Sequence, residues 1–401
     1  MKNRSSSTRH GSILVADEMV NLLVDLRDER FSATATQDSL DVIEHSGYSV
    51  EQPRQAPPAM LAWLDDEFGG TWSSEAYAGR NIIVKCADKY AGFVTYDPHG
   101  LKFSWLAQWR SRKDTGIFGP FGVSRPFRGS VIGPNLLRAA LGKLRETGYD
   151  FALVPAVSPG ALTEYYMKQC GAKIVERFAP HHFASRRFKT TVLASGNGTN
   201  FQAVLDAVAK GVLALDITAL VANHQDAFAL QRAQAAGVKP LPLCWSKPKE
   251  TRATYDLRLI DAVEKTGPEL VLLLGWMHLL PASFVGRFPQ MINIHPAFLP
   301  HDQSADTVTM PDGRVIPAYR GARALRDALA DRSPWVGATC HRVTEEADRG
   351  PVLARKPLAV ESHAAEEVMA RLLRPIEHRV LLGGITRWVL EQPNAMSLLK
   401  N

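Results

Sequence analysis

From Lys189 onward, short apolar runs alternate with stretches of helical spacing, and this rhythm constrains the fold more than any other feature. KTTVLAS (189–195), DITALVAN (216–223), VKPLPLC (238–244), ELVLLLG (269–275) and QMINI (290–294) read as strands. NFQAVLDAVAKG (200–211), DAFALQRAQAAG (226–237), ATYDLRLIDAVEKTG (253–267) and ASFVGRF (282–288) read as the helices between them. Apolar residues three and four apart mark a helix, and a short unbroken apolar run marks a strand covered on both faces. Strands that alternate with helices build βαβ units and a mostly parallel sheet. An α/β fold is expected.

The first half is patterned differently. AMLAWLDDEF (59–68) has helical spacing, NIIVKCA (81–87) and YAGFVTYD (90–97) read as strands joined by a short turn, and FGPFGVS (118–124) reads as a third strand. GPNLLRAALGKLRETG (133–148) is a helix, with Pro134 in its first turn and Gly148 past its end. YDFALVPAV (149–157) is another strand. Ahead of these, ADEMVNLLVDLRDER (16–30) is expected to be an amphipathic helix and EQPRQAPPA (51–59) a linker. The expected divisions are an N-terminal extension (1–58), a mixed α/β domain (59–180), a linker (181–188) and a second α/β domain (189–401). His181 and His182, adjacent in the connector, are expected to face solvent rather than bind metal.

Bulk properties exclude several classes. With 401 residues, 45% hydrophobic and 22% charged, the chain suits two ordinary globular domains. Its four cysteines, Cys86, Cys170, Cys244 and Cys340, form no CxxC, which argues against a disulfide framework or structural zinc and suits the cytoplasm. MKNRSSSTRH lacks an apolar segment behind it, so no signal peptide is expected, and no apolar run approaches a membrane span. The net charge of +6 is scattered, with no basic block interleaved with aromatics, so neither nucleic acid nor membrane is an expected partner. Oligomeric state is left open.

Ligands of open α/β sheets bind beyond the carboxyl ends of the strands. Three strand ends carry unusual residues here: SGNGTN (195–200), GWMH (275–278) and NIHP (293–296). In SGNGTN, Gly196 and Gly198 allow close backbone approach, Thr199 or Asn200 can cap the next helix, and bare amides there attract phosphate or carboxylate. The stretch is neither GxGxxG nor a Walker loop, so no dinucleotide or ATP is inferred. Asn293 and His295, two apart on an extended chain, project to one side, and Pro296 turns the chain away. A carboxamide can hold a developing oxyanion beside an imidazole that titrates near neutrality. The acid partner is open among Glu345, Glu346 and Asp348 in a turn between two strands (336–358). No second histidine stands at ligand spacing, so no metal is expected.

SGNGTN, ALVANHQDAFALQRAQAAG, LLLGWM, INIHPAFLP, EEADRGPV and IEH, in that order over about residues 189–390, resemble the folate-dependent formyltransferases, particularly the glycinamide ribonucleotide formyltransferase-like members. The resemblance implies a Rossmann-like domain that moves a formyl group from 10-formyltetrahydrofolate to the amine of a small molecule. It implies that Asn293, His295 and Asp348 are catalytic, with Asp348 raising the pKa of His295. It implies that Gly196, Asn197, Gly198, Thr199, Asn200 and Glu377 hold the acceptor and its phosphate, and that Trp276, Met277, His278, Leu279, Val343, Thr344 and Glu345 hold the folate.

Three departures stand out. HDQSADTVTMPDGRVIP (301–317), with MPDGRV as a hairpin turn, is an insertion beside the catalytic strand. GATCHRVTEEADRGPVL is nearer to 10-formyltetrahydrofolate hydrolases, which share the trio and use water. Arg374 near Glu377 replaces a neutral family residue.

FGPFGVSRPFRGSVIGPNLL and YYMKQCGAKIVERF, within about residues 59–178, resemble the GNAT superfamily of acyl-CoA transferases. The resemblance implies that Val123, Arg128, Gly129, Ser130 and Gly133 bind acetyl-CoA or another acyl-CoA. Val131 replaces the usual middle glycine, and Met167 the usual tyrosine, with Tyr165 and Tyr166 just upstream. The expected function is an N-formyltransferase of a specialised pathway, with a GNAT-like domain that acylates or binds the same molecule. The alternatives are a 10-formyltetrahydrofolate hydrolase and the housekeeping phosphoribosylglycinamide formylation of purine synthesis.

Overall fold

The computed structural model describes residues 18–69, 71–180, 186–247, 249–360, 365–393 and 396–398. These form two compact units, one from residues within Leu14–Phe68, Trp72–His182 and Val389–Asn401, the other from residues within Gly69–Thr71 and Phe183–Trp388. His181 and His182 lie outside the described residues.

The first unit runs β1 (Met19–Asp25), α1 (Ala33–His45), β2 (Ser49–Glu51), α2 (Pro58–Glu67), α3 (Trp72–Ala78), β3 (Arg80–Cys86), β4 (Lys89–Tyr96), β5 (Thr115–Val123), α4 (Ile132–Glu146), β6 (Phe151–Val157), α5 (Ala161–Cys170) and β7 (Lys173–Pro180). Residues 18–58, read above as an extension, thus supply β1, α1 and β2. Within the helix expected over 16–30, residues 19–25 form a strand: Val20, Leu22 and Val24 alternate on one buried face, each fully covered. That is the period of a strand, and β1 lies antiparallel between β6 and β7. The β5–β6 pair is parallel, and its pairing stops at Ile117↔Leu153 although the strands continue to Val123 and Val157.

The second unit runs β8 (Phe188–Ala194), α6 (Thr199–Ala209), β9 (Leu215–Ala222), α7 (Phe228–Ala235), β10 (Lys239–Pro242), α8 (Arg252–Glu264), β11 (Leu270–Leu273), α9 (Ala282–Arg287), β12 (Met291–His295), β13 (Thr307–Thr309), β14 (Val315–Pro317), α10 (Ala324–Ala330), β15 (Trp335–Arg342), β16 (Val352–Ala359) and α11 (Glu366–Leu390). The final strand, β17 (Met396–Leu398), pairs with β7 of the first unit's sheet. The seven strands of the second unit's main sheet are ordered β10-β9-β8-β11-β12-β15-β16. The first five are mutually parallel, and β15 and β16 add antiparallel. All four residues of β11 are buried, which explains their unbroken apolar run. Burying each such Val or Leu side chain contributes about 1.5–3 kcal/mol. Because β8, β11 and β12 are parallel neighbours, their carboxyl ends open on one edge, and the three unusual strand ends meet there.

Among the described residues, no helix is long and apolar enough to cross a membrane, and no group of three or more His, Cys, Asp and Glu side chains is placed to hold a metal ion.

Candidate active site

β12 ends with Asn293 and His295, and Asp348 reaches both. Asn293 Nδ2 donates to Asp348 Oδ1 at 3.4 Å, and His295 Nδ1 lies 3.5 Å from Asp348 Oδ2. Of the three carboxylates left open by the sequence, Asp348 is the one brought to the strand end, while Glu345 and Glu346 are exposed. Asp348 sits in the left-handed region at φ 55°, strained for a residue with a side chain. Two residues on, a Cβ on Gly350 would lie 1.7 Å from Arg342 O, so this turn folds tightly back on the end of β15.

Hydrogen bonds define the His295 tautomer. Tyr319 O can only accept, so His295 Nε2 carries a proton and donates to it at 2.8 Å. Nδ1 is then the basic nitrogen, and it faces Asp348. The resemblance implied a raised pKa for His295, and the structure corrects this. Burial, His341 and Arg320 push the value below the ordinary one, and together they outweigh the opposing effects of Asp348 and the Tyr319 carbonyl. Burial alone would raise the Asp348 pKa, but His341, His295 and the Gly321 N–H hold its carboxyl far below the usual range. The resting site at neutral pH is a carboxylate facing a neutral imidazole.

Sequence reasoning missed His341. It lies directly across from Asn293 in the β12–β15 register, and its Nε2 accepts from Asn293 Nδ2 at 3.2 Å. Its Nδ1 donates to Arg342 O at 2.8 Å, which leaves Nε2 as the acceptor. The signal lay in CHRV, but only the register of two strands far apart in sequence turns His341 toward the site.

The SGNGTN loop joins β8 to α6. Gly198 has φ 72°, and a Cβ there would lie 2.8 Å from the Ala229 side chain, so glycine is required by the close approach of α7. Thr199 and Asn200 do not cap α6 as expected: Gly198 is the cap residue and makes no side-chain bond, so the first amides of the helix stay bare. Arg232, also unforeseen, donates to Asn197 O at 2.9 Å and Asn197 Oδ1 at 3.0 Å, placing a cation beside the loop. Asn200 Nδ2 donates to Glu377 Oε2 at 3.4 Å. Burial raises the Glu377 pKa against the pull of Asn200 and Arg374. At the end of β9, the buried Asn223 keeps both polar atoms of its carboxamide without a hydrogen-bond partner.

After β11 the chain presents Met277 and Leu279 to solvent, 53% and 76% exposed. Met277 N is held by Ser195 Oγ at 2.9 Å. Trp276 and Val343 pack on the apolar cluster of Val271, Leu273 and Phe284. Thr344 Oγ1 donates to Glu346 O at 3.0 Å, and Glu345 is exposed. Trp276 Nε1, His278 Nδ1 and Tyr255 Oη are buried without hydrogen-bond partners, and the rings of Trp276 and Tyr255 lie 5.6 and 5.7 Å from that of His278.

In the first unit, Gly129 has φ 82°, Arg128 Nε donates to Val123 O at 3.1 Å, and Ser130 Oγ accepts from Ile132 N at 3.3 Å at the start of α4. A Cβ on Gly133 would lie 3.5 Å from Tyr165 Oη, so this hydroxyl sits beside the start of the helix. Burial pushes the Tyr165 pKa up to about 12.

A carboxamide donor, a basic imidazole nitrogen and a carboxylate at one strand end suit transfer at a carbonyl carbon without a covalent nucleophile. The Formyl transferase family model matches residues 188–310 and 313–385. The chain belongs to this family and is a folate-dependent formyl-transfer enzyme. It is 32% identical over 190 residues to phosphoribosylglycinamide formyltransferase of Escherichia coli (strain K12), covering 47% of this chain and 81% of that protein. It is 31% identical over 211 residues to the Dictyostelium discoideum protein of the same name, covering 49% of this chain and 96% of that one. Glycinamide ribonucleotide transformylase 1 from Symbiobacterium toebii aligns structurally with 30% identity and a TM-score of 0.44, over 50% of this chain and 86% of that one.

Proposed function

We propose that the second unit transfers the formyl group of 10-formyltetrahydrofolate to an amine of a small-molecule acceptor in a specialised biosynthetic pathway. The observation that carries this reading is the position of Asp348, within 3.4 Å of Asn293 and 3.5 Å of His295. The folate supplies the formyl carbon. Asn293 Nδ2 donates to the oxygen that gains charge as the amine adds, and its longer bond, the one to Asp348, is the one exchanged. His295 Nδ1 takes the proton the amine loses, and the Asp348 carboxylate stabilises the imidazolium; as the tetrahedral intermediate collapses, the bond from the formyl carbon to N10 of the folate breaks and that proton passes to N10, releasing tetrahydrofolate. A histidine that rests neutral suits this task, because its Nδ1 is free to take a proton.

Gly196, Asn197, Gly198, Thr199 and Asn200 hold the anionic end of the acceptor on the bare amides of α6, and Glu377 contacts the acceptor. Trp276, Met277, His278, Leu279, Val343, Thr344 and Glu345 hold the folate. Those bare amides and Arg232 also suit a phosphate, which keeps phosphoribosylglycinamide, the compound in the relatives' names, as the alternative acceptor. The insertion and the additional unit favour a different amine.

The proposal extends to the first unit as a GNAT-like acyltransferase or binding domain for the same molecule. Val123, Arg128, Gly129, Ser130 and Gly133 would hold acetyl-CoA or another acyl-CoA near the place where β5 and β6 part. Four free cysteines suit a cytoplasmic setting.

The test follows tetrahydrofolate formation from 10-formyltetrahydrofolate with and without each member of a panel of amines, including glycinamide ribonucleotide. Formation that depends on an amine supports the reading. Release of formate at the same rate without any amine identifies a hydrolase and contradicts it.

A further inference from the structure

The insertion reaches the candidate site through the Asp306 carboxylate and two backbone carbonyls. Asp306 stands immediately before β13, and its backbone closes the hairpin base by accepting from Ala318 N at 2.8 Å. Its side chain pairs with two arginines. Arg320 Nη1 donates to Asp306 Oδ1 at 3.3 Å, and Arg349 Nη2 makes a short ion pair with the same oxygen. Each arginine also holds a backbone carbonyl of the insertion: Arg320 Nη2 donates to Ala305 O at 2.7 Å, and Arg349 Nη1 to Gln303 O at 2.9 Å.

Both arginines flank groups already placed in the site. Arg349 follows Asp348, whose own backbone is held at φ 55°. Arg320 lies between Tyr319, whose carbonyl accepts from His295 Nε2, and Gly321, whose N–H donates to Asp348 Oδ2 at 2.7 Å. Arg320 Nε donates to Asp348 O at 3.4 Å as well. Asp306 therefore links the two stretches of chain that fix Asp348 and His295 and partly neutralises two neighbouring cations. Its side chain is 77% exposed, so the pairs add little to global stability. Their effect falls on alignment.

We propose that Asp306 is a positioning residue for formyl transfer, acting through Arg320 and Arg349 on the Asp348 turn and the 319–321 segment. This rests on the role given above to Asp348. The charged and titratable groups facing Asp348 are His295, His341 and Arg320, with Arg349 next in sequence and Glu346 paired to Arg349 at 3.6 Å.

The test compares the full chain with its Asp306→Asn and Asp306→Glu variants. The thermal midpoint is expected to move by no more than about 2 °C in either, as for an exposed pair. In Asp306→Asn, hydrogen exchange of the Gly321 amide accelerates about tenfold as the segment loosens. The His295 titration, followed by imidazole NMR, moves to lower pH because Arg320 is no longer neutralised. With 10-formyltetrahydrofolate and glycinamide ribonucleotide, kcat falls about tenfold while KM for the folate is unchanged. Asp306→Glu restores all three.

Unchanged Gly321 exchange and an unchanged His295 titration in Asp306→Asn would overturn the inference, whether or not that acceptor turns over. Asp348→Asn separates the two levels. If it retains full formyl transfer, the role assigned to Asp348 fails. If it is inactive while Asp306→Asn behaves as the unaltered chain, only the positioning role of Asp306 fails.

Discussion

Asn293 and His341 face each other across the antiparallel β12–β15 pair, and the Asn293 amide donates to the His341 ring at 3.2 Å. The pair fixes which way the carboxamide points. A carboxamide can flip its oxygen and nitrogen, and only one orientation aims an N–H at a developing oxyanion. His341 offers a bare Nε2 because its Nδ1 is committed to a carbonyl.

His341→Ala should therefore lower kcat for formyl transfer about tenfold, through misalignment of Asn293 rather than loss of binding. It should also destabilise the fold by about 1–3 kcal/mol, the usual range for a buried donor left unpaired. Steady-state kinetics and chemical denaturation measure the two effects. A normal kcat would show that Asn293 is oriented by something else.

Gly350→Ala is expected to be among the most damaging single-methyl changes in the second unit. The added Cβ would lie 1.7 Å from the backbone oxygen of Arg342, which has no rotamer with which to retreat. The loss should reach or exceed the ~1–3 kcal/mol typical of overpacking. Thermal unfolding reads it, and an unchanged midpoint would contradict the tight turn after Asp348.

Acidification should weaken the fold in two windows. His295 has a lowered folded-state pKa, so below its unfolded value of about 6.5 the unfolded chain binds the extra proton and stability falls. Asp348 is also lowered, so its contribution is complete above its unfolded value of about 3.9 and is lost as pH falls through the folded one. His295→Asn should flatten the first window and shrink the second, because His295 helps to hold the Asp348 carboxyl low. The acid limb of kcat should likewise fall below pH ~6.5, because the working form of His295 is the neutral one. A limb well above that value would favour a protonated histidine at rest.

If the first unit holds an acyl-CoA, coenzyme A should raise its thermal midpoint, with a stabilisation of about 2.7 kcal/mol at a hundredfold excess over the dissociation constant. Arg128→Glu should abolish the shift without changing formyl transfer. No shift at any concentration would remove the acyl-CoA reading.

The parts of the fold visible in sequence are those set by local pattern. The βαβ rhythm from β8 to β12 and the MPDGRV hairpin both rest on short-range signals, and both are present. β1 was hidden because MVNLLVD satisfies helical spacing as well as alternation, and only its place between β6 and β7 decides between them. At the site, Asn293 and His295 could be paired on sequence alone because they share one strand. Asp348 could not be separated from Glu345 and Glu346 without the turn geometry, and His341 required strand register. The lowered pKa of His295 depends on its burial, which no local motif encodes. The Asp306 link joins residues from three separate segments, so it is a product of tertiary structure alone.

The most direct test of the account is amine-dependent tetrahydrofolate formation by the unaltered chain and by His295→Ala, with the folate at saturation. The account predicts formation that requires an amine and falls at least about a hundredfold in the variant, as expected when a positioned general base is removed. Formyl transfer that is unchanged in His295→Ala would contradict it.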